Sequence, residues 1–320
     1  MDPARFFAAS RLLIVAGKGG VGKTVVTAAM AQAAARCGLR TLVVEVEGKS
    51  GLASMFGAEK LDYEEAVLLE AQGGTAEVRA RTLTPDDALL DYLRDHGLSR
   101  ISKRLVASGA LDVVATAAPG IKDILILGKV KQLERGGTAD LIVLDAPAAG
   151  HAITFLQSAR ALLDTVRVGP INAQAQDVLE MLIDHERCRV VLVTLPEETP
   201  VNELVDTAFS LEDRVGVGLG PVVVNGVYDL LEGLDVPPTE AADAAGTTLR
   251  EGEAAVLAAA AEFRTQRTTL QAEQTARLGD QLPLAQIRLP FVFTTEIGPP
   301  ELTLLADRLL AEVEALGDVV

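Results

Sequence analysis

Hydrophobic and polar positions follow two rhythms along this chain. Short, almost unbroken runs of Val, Ile and Leu occupy residues 12–16, 41–46, 141–144, 190–195, 221–224 and 287–293. Runs of that length without polar alternation predict strands covered on both faces. Between them lie longer stretches with helical spacing, among them 22–36 and 201–212. Strands and helices in regular succession predict an α/β fold built on a doubly wound, mostly parallel sheet.

Two segments break the rhythm. Residues 84–135 read as mostly helical and open on Thr84-Pro85-Asp86, a capping residue followed by proline at the first turn. They predict a helical subdomain inserted before the strand at 141. Residues 231–250 carry Pro237-Pro238 and many small residues, which predicts a mobile linker; residues 250–280 return to a helical pattern of mixed charge. No fixed period repeats, so residues 1–320 are read as a single domain.

Composition then removes several functions. The formal net charge of −16 argues against holding a nucleic-acid backbone. Cys37 and Cys188 stand far apart, which excludes a disulfide scaffold and any Cys-x-x-Cys zinc or redox site and suits a reducing compartment. No uncharged apolar run approaches the ~18 residues that span a bilayer, and residues 1–10 lack the basic-then-apolar order of a signal peptide. The final helix, from Glu301 on, is too acidic to lie on anionic lipid. A cytoplasmic protein without direct membrane insertion is expected. Aromatic residues make up 3% and tryptophan is absent, so stacking surfaces for bases are not expected either.

The candidate chemistry begins where the first strand ends. Gly17-Lys18-Gly19-Gly20-Val21-Gly22-Lys23-Thr24, with Val25 behind it, is a G-x-x-x-x-G-K-T phosphate-binding loop. Its glycines let successive N–H groups approach phosphate oxygens. Lys23 supplies charge, Thr24 a hydroxyl for Mg²⁺, and the following helix its positive end. The same letters contain Gly17-x-Gly19-x-x-Gly22, a dinucleotide fingerprint, with Glu45 and Glu47 some way on. An NAD-dependent oxidoreductase is therefore the remote alternative. The pair Lys23-Thr24 decides against it, because a lysine there serves a triphosphate and is gratuitous for a dinucleotide. A further carboxylate, Asp145, ends the strand at 141, at the edge of the sheet where ligands of open α/β folds bind. It is the second metal candidate beside Thr24.

Lys18 near the start of the loop resembles the deviant Walker A of an ATPase class that includes the arsenical pump ATPase and the nitrogenase iron protein. In that class the early lysine reaches a partner's nucleotide. Asp145-Ala-Pro-Ala-Ala-Gly-His151 resembles the switch II segment D-T-A-P-T-G-H of the anion-transporting (ArsA-like) ATPases, with the proline one position early. Ala118-Pro-Gly-Ile-Lys-Asp123 resembles that family's P-G-I-D-E, and the segment from Val193 to Thr199 its T-x-P-E loop. Asn225 and the pair Pro290-Phe291 fall where the family contacts adenine. The resemblance implies ATP and Mg²⁺ as ligands and a nucleotide-gated dimer, homomeric or with a related ATPase, that controls a protein or membrane-protein partner.

The departures matter as much. The family's D-P-A-H, whose aspartate positions the attacking water, is here Glu47-Gly-Lys-Ser50. Glutamate is one methylene longer, and water-orienting geometry is sensitive to shifts of ~1 Å. Glu47 is the candidate catalytic carboxylate beside Lys18 and Lys23, with slow or partner-dependent hydrolysis implied. This resembles an actinobacterial branch in which two unlike members pair, and a weakly hydrolysing regulatory subunit is the alternative function. The zinc-clip and arsenite-binding cysteines of other members are missing, and with four methionines an adaptable groove for membrane helices is not expected.

Overall fold

The computed structural model describes residues 1–46, 51–95, 97, 120–147 and 149–317, with backbone alone at 149–151. Its elements run α1 (Pro3–Ala8), β1 (Leu12–Gly17), α2 (Lys23–Arg36), β2 (Thr41–Val46), α3 (Gly51–Met55), β3 (Ala66–Leu69), β4 (Val78–Leu83) and α4 (Pro85–Asp95). They continue with α5 (Ile121–Gly136), β5 (Leu141–Asp145), α6 (Ala149–Thr165), α7 (Pro170–Ile183), β6 (Cys188–Thr194), α8 (Glu198–Arg214), β7 (Gly218–Leu219) and β8 (Val222–Val227). The last are α9 (Pro238–Ala244), α10 (Glu253–Gln281), β9 (Gln286–Pro290) and α11 (Pro299–Ala315).

The strands form one sheet in the order β3-β4-β2-β5-β1-β6-β8-β9, with β7 beside β6. Every pairing is parallel except β3 with β4. Strand β1 therefore lies inside the sheet, flanked by β5 and β6, and all six of its residues are buried. Alternate side chains enter two cores. Leu12 and Ile14 meet α5, α6, α7 and α8 on one face, while Leu13 and Val15 meet α1, α2 and α11 on the other. Helix α2 is apolar nearly all round and rich in alanine, as a helix enclosed between a sheet and a second helix must be. No described helix is long and apolar enough to cross a membrane.

The doubly wound sheet follows the sequence pattern, but β3 and β4 do not. Strand β4 reads V-R-A-R-T-L, and its two arginines conceal a central parallel strand. They fit because β4 has only the short β3 outside it. Arg81 lies 4.3 Å from the Tyr63 ring and 3.7 Å from Glu65, while Arg79 pairs with Glu77 and Glu65. At the other edge the expected strand 287–293 ends at Pro290, and the Phe291 N–H donates to the Val227 carbonyl, 2.8 Å away. Helix α4 starts at the threonine–proline signal, with the Asp87 N–H donating to Thr84 Oγ1 at 3.2 Å. Helix α5 packs against α4, and α9 falls within the segment read as a linker. Residues 98–119, including Ala118 and Pro119, lie outside the described residues.

Two tests follow from this packing. A Cβ on Gly17 would stand 2.3 Å from the main-chain oxygen of Val193 on β6, which the sheet pins in place. Gly17→Ala is expected to cost roughly 3 kcal/mol in urea unfolding. Gly38→Ala, with open space around it and only a positive φ to strain, should cost about 1 kcal/mol. Burial pushes the thiol of fully buried Cys188 well above its ordinary range; half-buried Cys37 is raised too, by burial and then by Asp2 and Glu314. Ellman's reagent at neutral pH should therefore find one slow thiol in the folded protein and two in urea.

Candidate functional site

The turn from β1 into α2 brings residues 17 to 25 together at the carboxyl edge of the sheet. Gly19 and Gly20 face solvent, Val21 is buried beneath them, and Gly22 caps α2 in the left-handed region at φ 88°. Only glycine suits that cap. A Cβ there would meet Asn225 Nδ2 at 2.3 Å, and that same amide donates to the Val21 carbonyl at 3.0 Å. Asn225, expected from the family resemblance to face adenine, thus braces the loop's main chain from β8.

Lys23 opens α2 with 6% of its surface exposed, and its ammonium donates to the Lys18 carbonyl at 2.8 Å. The loop is closed around its own buried cation. Next along the helix, the Thr24 hydroxyl donates to Asp145 Oδ2 at 2.7 Å. Asp145 ends β5, opposite Val15 in register, with no exposed surface. The contact joins the first turn of α2 to a neighbouring strand end. Thr24 and Asp145 offer hard oxygen donors of the kind Mg²⁺ takes when phosphates and water complete its shell. Among the described residues no group of three or more His, Cys, Asp or Glu could hold a metal alone, so these donors suit an ion that arrives with an anionic ligand.

Glu45 is buried beside them. It is the penultimate residue of β2, stands in register with Asp145, and accepts from Thr82 Oγ1 at 3.1 Å. A ribose ligand, the role a dinucleotide site would give it, needs a side chain projecting from the edge. Lys18 behaves differently from Lys23. Its side chain is 41% exposed and forms an ion pair with Glu203 of α8 at 2.5 Å. Such a pair contributes about 0–1 kcal/mol. Nothing in the sequence pattern pointed to Glu203.

Pro290 ends β9 and Phe291 follows it beside Gly226 of β8, where the few aromatic residues of the chain are locally concentrated. Of eleven aromatic residues in the chain, three gather at this point. Tyr228 lies 4.9 Å from Phe291 and 5.5 Å from Phe293, which are themselves 4.7 Å apart. The Arg264 guanidinium sits 4.5 Å over Tyr228. A scarce residue type can still be locally dense, because β8 and the chain after β9 run side by side. Glu47 lies outside the described residues, as does the side chain of His151.

Known proteins share this arrangement's sequence. Residues 10–168 match the model of the anion-transporting ATPase family. The ATPase BagA of Mycobacterium tuberculosis is 35% identical over 222 residues, which are 67% of this chain and 64% of that protein. A putative arsenical pump-driving ATPase of Halobacterium salinarum is 28% identical over 236 residues, 68% of this chain and 35% of the relative. An arsenical pump-driving ATPase of Escherichia coli is 27% identical over 243 residues, 69% and 40% respectively. The chain therefore spans less than two thirds of the length of each of these relatives. The matched span 10–168 contains the glycine loop, β1, β2, β5 and Asp145, and the chain belongs to the ArsA-like anion-transporting ATPase family.

Proposed function

We propose that this chain binds ATP with Mg²⁺ at the β1–α2 turn and hydrolyses it. The observation that carries the reading is the buried Lys23 ammonium curled into a loop whose next residue, Thr24, is tied to a strand-end carboxylate. A buried cation and a helix N-terminus at one turn favour a polyphosphate. Lys23 would exchange its carbonyl partner for phosphate oxygens, and the loop N–H groups would hold the rest. Thr24 and Asp145 would hold Mg²⁺, which when bound neutralises phosphate charge. Asn225 would fix the loop from behind while Pro290 and Phe291 border the base. Glu47 would orient the attacking water. Lys18 would leave Glu203 to complete the site of a second subunit, identical or related, and closure of that pair would alter affinity for a protein or membrane-protein partner.

The glutamate at 47 favours a second reading: a nucleotide-binding subunit with little turnover that regulates a competent partner, as in the paired actinobacterial branch. Dinucleotide chemistry is left with less support, since Glu45 is buried against Thr82.

Calorimetry with ATP and Mg²⁺ should register binding, and Lys23→Ala should weaken it about 10- to 100-fold, the worth of charge-assisted hydrogen bonds to phosphate. Unchanged affinity in that variant ends the proposal, and tight NAD binding indifferent to Lys23 would replace it. In steady-state phosphate release, Lys18→Ala should lower turnover while sparing ATP affinity in the isolated subunit. Glu47→Asp should raise turnover several-fold if the longer carboxylate is what slows the reaction; no change would remove Glu47 from the water-orienting role.

A further inference from the structure

Glutamine belongs on a protein surface, yet Gln271 of α10 is only 3% exposed. It is the first buried residue of that helix, ahead of Thr275 and Leu278. A buried amide is costly unless its donor and its acceptor both find partners. Here both do. Gln271 Oε1 accepts from the Tyr228 N–H at 2.8 Å, and Nε2 donates to the Gly226 carbonyl at 3.0 Å. Both partners are main-chain groups at the end of β8, one on either side of Val227.

The sheet is irregular at that point. Between the pairs Val224–Arg288 and Val227–Pro290, Asn225 and Gly226 of β8 stand against Leu289 alone on β9. Gly226 takes the left-handed region at φ 73°. Strand β6 is last paired at Thr194, opposite Val224, and so does not reach the groups beyond. A bulge of this kind disrupts the ladder and re-aims a side chain. The side chain concerned is Asn225, whose amide donates to the Val21 carbonyl in the glycine loop at 3.0 Å. The Gln271 amide stands in for the missing ladder. It bonds the C=O before Val227 and the N–H after it, as the peptide of a parallel neighbour would.

We infer that Gln271 is a positioning residue for nucleotide binding. It pins the bulge after Val224 and thereby holds the Asn225 amide against the Val21 carbonyl, so that the glycine loop keeps the shape that receives phosphates. Gln271 acts through Asn225, and the inference rests on the reading of the β1–α2 turn as an ATP site.

Calorimetry with ATP and Mg²⁺ tests it, with urea unfolding of each variant to separate lost affinity from lost fold. Gln271→Leu removes both bonds and should weaken ATP about 10-fold, the equivalent of one buried hydrogen bond. Asn225→Ala should weaken it by a similar factor. The double variant should bind no worse than Asn225→Ala alone, since the two residues form one chain of contacts. Gln271→Glu carries the readout that a merely structural role would not move. A protonated carboxyl offers an acceptor and an O–H donor and can remake both bonds, whereas a carboxylate only accepts. Its affinity relative to the unsubstituted chain should therefore recover as pH falls from about 8 to about 5, because burial raises a carboxyl's pKa. The charged groups about Tyr228 are Arg264, Arg267 with its partner Glu197, and Asp229. They are common to both chains, so the ratio removes their effect. Should Gln271→Leu fail to fold, Gln271→Glu decides alone. The inference is overturned if the unsubstituted chain binds ATP and Gln271→Leu binds it equally well. Additive losses in the double variant, or no recovery of Gln271→Glu at low pH, overturn it too. If the unsubstituted chain binds no ATP, the ATP reading fails first and the inference falls with it.

Discussion

Close approach of main chain to main chain at the end of β1 governs everything built on it. Gly17 lies so near the Val193 carbonyl that no side chain fits there, and Gly22, in the left-handed region at φ 88°, sits under the side-chain amide of Asn225. The chain can therefore turn sharply from strand to helix while staying in contact with β6 and β8. That turn aims the first N–H groups of α2 and the Lys23 ammonium at one point above the sheet edge. Relaxing either contact would move the cation relative to the donors on neighbouring strands.

Sheet order supplies those donors. With β5 on one side of β1 and β2 next to it, Asp145 and Glu45 end level with each other and with the loop. Two buried carboxylates at adjacent strand ends are costly unless hydrogen bonds and nearby positive charge offset their desolvation. Thr24 bonds one and Thr82 the other. Strand β4, with its two arginines, therefore does more than extend the sheet: Thr82 comes from it and holds Glu45.

The legible parts of the sequence were those written in local chemistry. Unbroken Val/Ile/Leu runs marked β1, β2, β5, β6 and β8 because burial on both faces leaves no room for polar alternation. The glycine loop showed for a similar reason, since its spacing is a backbone requirement. Illegible were the features made by contacts far apart in the chain. Arg79 and Arg81 hid β4, because their partners Tyr63 and Glu65 come from a preceding segment with no periodic signal. Asn225 reads as a strand-end polar residue, and only the fold sets it against Val21. The aromatic group at Tyr228, Phe291 and Phe293 was invisible to a whole-chain average, since more than sixty residues of sequence separate Tyr228 from the two phenylalanines.

The loop's two lysines occupy opposite energetic regimes, and this divides their work. Lys23 is buried and donates a hydrogen bond to the loop's own carbonyl at Lys18, so removing its charge takes a donor from a desolvated acceptor. Its position is part of the fold. Lys18 is about as exposed as its partner Glu203, and their pair is worth at most about 1 kcal/mol against water and salt. A phosphate with two negative charges outcompetes one exposed carboxylate, so Lys18 can change partners at little cost. A fixed cation suits a permanent binding function and a loosely held one suits a conditional function. Within a single eight-residue turn the chain has placed one of each.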